Sequence, residues 1–193
     1  MSSVDKINLA TVRQSYAQTV FTHQVQEAAA ARVANYAKRF KYFEIALPVI
    51  VIALLTAQTF QLDNMIFVYI SSGVAVVEFA LLLIQLNYNF SDQSGSHKLS
   101  ALRYMGLRDE YRALISDIMN AALDQKMIIR CRDELQSKYQ QISDMSPVTL
   151  AKDYNSAQLG LLGKQNKGEQ YTWSDKEIDR FLPEELRIAG KRI

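Results

Sequence analysis

Two apolar segments that lie almost end to end, residues 42–62 and 65–86, constrain this chain more than any other feature. Each holds about 21 or 22 residues, so a helix of that length is roughly 30 Å long, which is the thickness of the hydrocarbon core of a bilayer. The short link between them carries Gln61, Asp63 and Asn64. The sequence therefore predicts two membrane-spanning helices joined in a hairpin. The alternative, a soluble hairpin buried in a helical bundle, does not explain why both arms match a bilayer.

Cationic residues flank the two apolar segments only on their outer sides, and the link between the segments contains no lysine or arginine. Because cytoplasmic flanks of membrane spans carry the excess of lysine and arginine, both termini are predicted to face the cytoplasm. The flanking cations are Arg32, Lys38, Arg39 and Lys41 before the first segment, and Lys98 and Arg103 after the second.

The predicted fold is an all-α membrane protein in which a two-helix transmembrane hairpin is continuous with a cytoplasmic helical bundle. Residues 1–41 are expected to form an N-terminal cytoplasmic helix, 42–86 the hairpin and 87–193 a C-terminal cytoplasmic helical region. The first part lacks glycine and proline from about residue 8 onward, which favours one long helix running into the first span. Its apolar residues recur at heptad spacing, interrupted by His23 and Gln26, and this pattern is typical of a packing face.

The C-terminal region is predicted to contain several helices separated by short breaks. Ser-Gly-Ser at 94–96 marks a break, and a helix is expected over 124–142. Ser146 and Pro147 have the character of an N-cap and first helical residue, for a short helix through Ser156.

The last part of the chain is predicted to be a loop followed by one more helix. The glycines and lysines of 160–168 indicate a loop. Ser174 and Glu177 have capping-box spacing, which predicts a helix that starts there and is interrupted at Pro183.

Polar residues inside the two spans are the candidates for pore-lining or gating roles. In the second span, Ser71, Glu78 and Gln85 recur every seven residues and so share one helix face. Glu78 lies near mid-bilayer, where a carboxylate must face water or protein; it either lines an aqueous path or is protonated and hydrogen-bonded between helices. In the first span the candidates are Glu44 and Gln58. Glu44 can instead form an ion pair with Lys41 at the membrane interface.

Three small or rigid residues predict how the spans bend and pack. Pro48 lacks a backbone N–H and is expected to kink the first span. Gly73 and Ala75 make one part of the second span slim, so we expect them at a close helix–helix contact.

The composition argues against catalysis and against nucleic-acid binding. Lys+Arg 22 and Asp+Glu 20 nearly balance to a net charge of +2, so no direct nucleic-acid binding is expected. Cys131 is alone, and no phosphate-binding glycine loop, metal-ligand cluster or nucleophile motif is present in the sequence. We therefore expect a protein that is not an enzyme, with no catalytic residues, no metal and no cofactor.

A basic-ended apolar helix, ANYAKRFKYFEIALPVIVIALLTA, is followed by a second span and by helices that contain LSALRYMGLRDEY. This arrangement resembles the SLATT family, the SMODS- and SLOG-associating two-transmembrane effector domains. The resemblance implies a membrane effector of a bacterial anti-phage or conflict system, located in the inner membrane, whose homo-oligomeric pore damages the membrane in abortive infection. It also implies a neighbouring nucleotide-signal synthase, sensor or reverse transcriptase as partner. The alternative function is a non-conducting anchor or scaffold that recruits a cytoplasmic partner.

Overall fold

The computed structural model describes residues 3–60, 65–162 and 172–189, and every regular element in these ranges is helical. The predicted all-helical class is therefore confirmed. The elements in chain order are α1 (Ser3–Phe60), α2 (Met65–Asn87), α3 (Phe90–Met119), α4 (Gln125–Met145), α5 (Ala151–Leu162), α6 (Asp175–Asp179) and a 3₁₀ turn (Glu184–Leu186).

The chain divides into two compact units. One, which we call the bundle unit, comprises Met1–Ala30 and Gly95–Ile193, and the other, which we call the apolar unit, comprises Ala31–Ser94. Helices α1 and α3 each contribute residues to both units.

The core of the bundle unit is built on the heptad face of α1. Leu9, Val12 and Tyr16 are buried there and pack in one cluster with residues of α3, α4 and α6. The two polar residues that interrupt the heptad rows have hydrogen-bond partners on α3. Gln26 Oε1 is 2.7 Å from His97 Nδ1. His23 Nδ1 is 2.8 Å from the carbonyl oxygen of Ala101. The predicted packing face is confirmed, and its polar interruptions cost little because each is hydrogen-bonded.

The break predicted at 94–96 is wrong, because α3 runs without interruption from Phe90 through this stretch. The chain instead leaves helical conformation at Tyr88 and Asn89. Asn89 Oδ1 accepts the backbone N–H of Asp92 at 3.2 Å, which caps the new helix. The roughly 1 kcal/mol that glycine costs in a helix is outweighed by burial of the next turn, which includes His97.

The start predicted for the next short helix is also wrong. Ser146 is the C-cap of α4, and its hydroxyl donates to the carbonyl oxygen of Ile142 at 2.7 Å. Helix α5 begins later, where the buried carboxylate of Asp153 accepts the N–H of Leu150 at 2.9 Å. The Asp153 carboxyl group satisfies a backbone N–H at the helix start, while the Ser146 hydroxyl is engaged at the end of α4, so the helix starts at Ala151.

Helix α5 also extends three residues into the loop predicted over 160–168, and the rest of that loop lies outside the described residues. The capping box of Ser174 and Glu177 is confirmed, with the Ser174 N–H donating to the Glu177 carboxylate at 3.2 Å. The helix ends at Asp179, and Pro183 precedes the 3₁₀ turn.

Both apolar segments are helical within the apolar unit. By length and composition, one helix of the described residues is able to cross a membrane, over Val4–Ala57, and its most apolar stretch has no buried residue. The described part of α2 adds a shorter apolar helix, Val68–Ile84. The link at residues 61–64 lies outside the described residues, so the hairpin connection stays a prediction.

Candidate functional site

Two glutamates that the sequence singled out separately border one small cavity inside the apolar unit. Glu44 lies on α1 and Glu78 on α2, and the cavity between them has a volume of about 20 Å³. The rest of its lining is apolar: Phe40, Phe43, Leu47, Leu81 and Leu82. The fold thus brings together the two acidic residues of the predicted spans.

The chemistry of this cavity follows from its size and lining. A space of roughly 10–15 Å³ is enough for one water molecule that has polar partners. Glu44 and Glu78 are the acidic residues of this lining, and leucine and phenylalanine side chains make up the rest. The cavity has room for a water molecule or a small ion and is too small for an organic ligand.

The other predicted site residues lie away from this cavity or outside the described side chains. Ser71 is buried, and its hydroxyl donates to the carbonyl oxygen of Val68 on its own helix at 3.1 Å. Pro48 lies inside α1, which is helical on both sides of it. The side chains of Gln58 and Gln85 lie outside the described residues.

Gly73 and Ala75 are both exposed on α2. A Cβ atom added at Gly73 would meet nothing within 4 Å. The slim face therefore has no close neighbour among the described residues of the same chain.

Sequence reasoning missed a buried ion pair that joins the two ends of the chain in the bundle unit. Arg13, whose side chain is 0% exposed, donates from Nη2 to Asp179 Oδ1 at 2.7 Å. Its Nη1 donates to the carbonyl oxygen of Leu186 at 3.0 Å. The same carboxylate accepts the backbone N–H groups of Ile188 and Ala189. No local pattern signals this pair, because its members lie 166 residues apart.

Asp179 is kept ionised by these contacts. Burial by itself would raise the pKa of its carboxyl group. The hydrogen bonds from Arg13 and from the backbone of Ala189 and Ile188, together with the Arg13 charge, instead lower the pKa below its usual value. We call this assembly the C-terminal latch, defined by Arg13, Asp179 and the 3₁₀ turn that Arg13 contacts.

A second cavity, of about 440 Å³, lies in the bundle unit and is lined by aromatic and uncharged polar side chains. Phe21 forms its aromatic centre, with edge-to-face contacts to Tyr154 at 4.7 Å and Trp173 at 5.8 Å between ring centroids. Among its described lining residues none is charged. No group of three or more metal-ligating side chains occurs in the described part of the chain.

The fold and the site define a class: an all-helical domain with an apolar helical unit of membrane character and a separate helical bundle. A family model described as "SMODS and SLOG-associating 2TM effector domain family 4" matches residues 9–177. The chain belongs to this family, which confirms the resemblance seen in the sequence. No curated protein and no solved structure matches the chain significantly.

Membership gives the chain a function at a coarse level. It is an effector domain of a two-transmembrane family that is associated with SMODS and SLOG conflict systems. The two-transmembrane architecture of the family and the apolar stretch of α1 indicate a membrane location. The matched region ends two residues before Asp179, so it includes Arg13 but not the acidic partner in the latch.

Proposed function

We propose that the chain is a homo-oligomeric effector of the bacterial inner membrane that forms a pore and disrupts the membrane when a conflict system activates it. The two spans form a hairpin with both termini in the cytoplasm. The observation that supports this proposal most is that Glu44 and Glu78, one from each apolar helix, border the same cavity.

The energetic argument starts from the cost of acidic groups in a bilayer. A carboxylate at the centre of a membrane-spanning helix costs about 3 kcal/mol even on the more lenient scales. A membrane anchor does not require an ionisable group at that depth, whereas a cation path needs negative groups along it. Two helices cannot enclose a pore, so several copies are required, and a ring is the usual arrangement for repeated head-to-tail contacts.

The partners of this effector follow from its family. The association with SMODS and SLOG systems supports a nucleotide-signal synthase or sensor as the protein that controls it, and a reverse transcriptase is the other candidate that the family resemblance implies. The lipid bilayer is its other partner. We propose no catalytic activity, no cofactor and no direct nucleic-acid contact, in line with the near balance of charge.

The alternative is a non-conducting anchor that recruits a cytoplasmic partner. One observation favours it: Leu99, Leu102 and Met105 are all exposed and lie along one side of α3 at spacings of three residues. Exposed apolar residues in such a row are typical of a protein-binding surface.

Ion flux through liposomes separates the two functions. Purified protein is reconstituted at high density into vesicles that hold a potassium-sensitive dye, because high density is expected to open the pore without the activating system, as on overexpression. These vesicles are expected to release potassium, while vesicles without protein stay sealed. Carbonate-resistant insertion and oligomer size are measured on the same sample. Inserted, oligomeric protein that releases no ion would support the anchor instead.

The oligomer can be tested at Gly73. Because a Cβ atom at this position meets no described residue within 4 Å, Gly73→Leu is expected to leave the subunit folded and to thicken a contact between subunits. We expect the oligomer measured by light scattering in detergent to shift towards smaller species. Gly106→Leu is the matched control, because its Cβ also meets nothing within 4 Å but it lies in the bundle unit. An oligomer unchanged by Gly73→Leu would place the subunit contact elsewhere.

A further inference from the structure

A groove of about 730 Å³ opens in the apolar unit, beside the region where the first predicted span begins. One wall is the turn of α1 that carries Lys38 and Lys41. The other is the short connection between α2 and α3, with Tyr88 and Phe90. The groove shares two lining residues, Phe40 and Glu44, with the small cavity that Glu78 borders. Its other described lining residues are different.

The two lysines of the groove have no ion-pair partner among the described residues. Lys38 and Lys41 lie three residues apart on one face of α1 and are both exposed. Neither forms a salt bridge with a described residue. Among the described lining residues Glu44 alone is acidic, and it lies about 4.5 Å further along the helix than Lys41. The groove therefore has an excess of positive charge at its outer end.

The opposite wall carries the aromatic rings of Tyr88 and Phe90 beside the polar residues Asn89 and Ser91. The Phe40 and Phe90 rings are 5.8 Å apart, and Tyr88 stacks on Phe90 at 6.2 Å. The Asn89 side chain donates to Asp92 at 2.5 Å, which keeps the connection in a defined shape. A ligand that fits this groove has an anionic end for the lysines and an apolar part for the rings.

We propose that this groove binds the headgroup of an anionic phospholipid in the cytoplasmic leaflet, with Lys38 and Lys41 contacting its phosphate and the aromatic wall contacting its glycerol and upper acyl chains. The proposal rests on the membrane insertion proposed above, which places residues near 42 at headgroup depth. Basic grooves between membrane helices on the cytoplasmic side are suited to such lipids. A lipid bound there connects α1 to the α2–α3 connection.

Lipid selectivity of the full-length protein tests the site. Protein in detergent is incubated with equal amounts of phosphatidylglycerol and phosphatidylcholine, and bound lipid is counted by native mass spectrometry. Wild-type protein is expected to prefer phosphatidylglycerol, and Lys38→Gln with Lys41→Gln is expected to reduce that preference roughly 10- to 30-fold at low ionic strength. The double arginine variant, Lys38→Arg with Lys41→Arg, keeps both charges and is expected to keep the preference.

Arg39→Gln is the matched control for charge at the same depth. Arg39 is exposed but does not line the groove, since it lies about 100° and 160° around the helix from Lys38 and Lys41. Its loss is expected to change the preference less than threefold.

Glu44→Gln removes the opposing charge and is expected to increase the preference for phosphatidylglycerol. Inorganic phosphate at equal concentration is expected not to compete, because it lacks the apolar part.

The outcomes separate this site from the proposed function. Equal effects of Arg39→Gln and the double glutamine variant, or full competition by phosphate, would overturn the lipid site while insertion stands. If alkaline carbonate releases the wild-type protein from membranes, the membrane insertion and the lipid site are overturned together. Retained insertion in all variants, with selectivity lost only in the double glutamine variant, supports the site.

Discussion

Asp179→Ala is expected to lower the free energy of unfolding by about 3–5 kcal/mol, the cost of breaking a buried ion pair. The substitution leaves the fully buried Arg13 guanidinium without its 2.7 Å partner. Its remaining acidic neighbour is Asp175, which is 3.5 Å away and largely exposed. The N–H groups of Ile188 and Ala189 lose their acceptor at the same time.

Urea unfolding in detergent, followed by tryptophan fluorescence, measures this loss. Trp173 is the single tryptophan of the chain and packs against Phe21 of α1, so its emission reports whether the C-terminal segment is docked. Asp175→Ala is the matched control. Its side chain is 59% exposed, and its contribution is expected to stay below about 1 kcal/mol. Equal losses in the two variants would show that the latch depends on net charge rather than on the buried pair.

The latch also predicts a pH dependence with a definite sign. Because the pKa of Asp179 is lowered in the folded chain, its carboxylate contributes stability fully above about pH 4, the ordinary pKa of aspartate. The contribution decreases as the pH falls below that value towards the lower folded-state pKa. In the Trp173 assay, wild-type protein is therefore expected to lose stability below pH 4 more steeply than Asp179→Ala.

Glu78→Gln is expected to reduce the preference of the pore for cations by at least about tenfold and to lower toxicity on overexpression. At an effective dielectric constant of about 20, a carboxylate about 4 Å from a cation attracts it by about 4 kcal/mol. Glutamine keeps the shape and hydrogen-bonding capacity but removes this attraction. Insertion and oligomer size are expected to be unchanged, because glutamine leaves no cavity of the kind that alanine would leave.

Reversal potentials across a planar bilayer, in asymmetric potassium chloride, measure the change. Glu110→Gln is the control, because it removes the same charge from α3 in the bundle unit, where Glu110 pairs with Lys138 at the surface. Wild-type selectivity and toxicity in Glu78→Gln would show that Glu78 serves packing alone. The effect of Glu44→Gln then shows whether the second carboxylate of the cavity acts with it.

Much of the helical organisation was predictable because it depends on neighbouring residues. The lack of glycine and proline before residue 41 predicted the long helix that α1 forms. The heptad pattern predicted its buried face, which includes Val12 and Tyr16. Ser174 and Glu177 form the expected capping box, since both of its hydrogen bonds lie within one turn.

The failures share one cause, which is competition from residues distant in sequence. Gly95 was expected to help end a helix, but burial of His97 and the following turn against α1 keeps α3 intact. Ser146 was expected to start a helix, but it ends α4, and Asp153 determines where α5 begins. Propensities of a few tenths to about 1 kcal/mol per residue cannot compete with such tertiary contacts.

The helical class, the bilayer-length apolar segments and the acidic residues within them could all be predicted from the sequence, because helix propensity and apolar length are sums over adjacent residues. Tertiary structure alone decided that Glu44 and Glu78 share a cavity, that Lys38 and Lys41 face a groove, and that Arg13 binds Asp179. Each of these pairings depends on which helix faces pack together. Burial and complementary charge between residues that are distant in sequence determine which helix faces pack together. The spacing of residues along the chain does not reveal which faces these are.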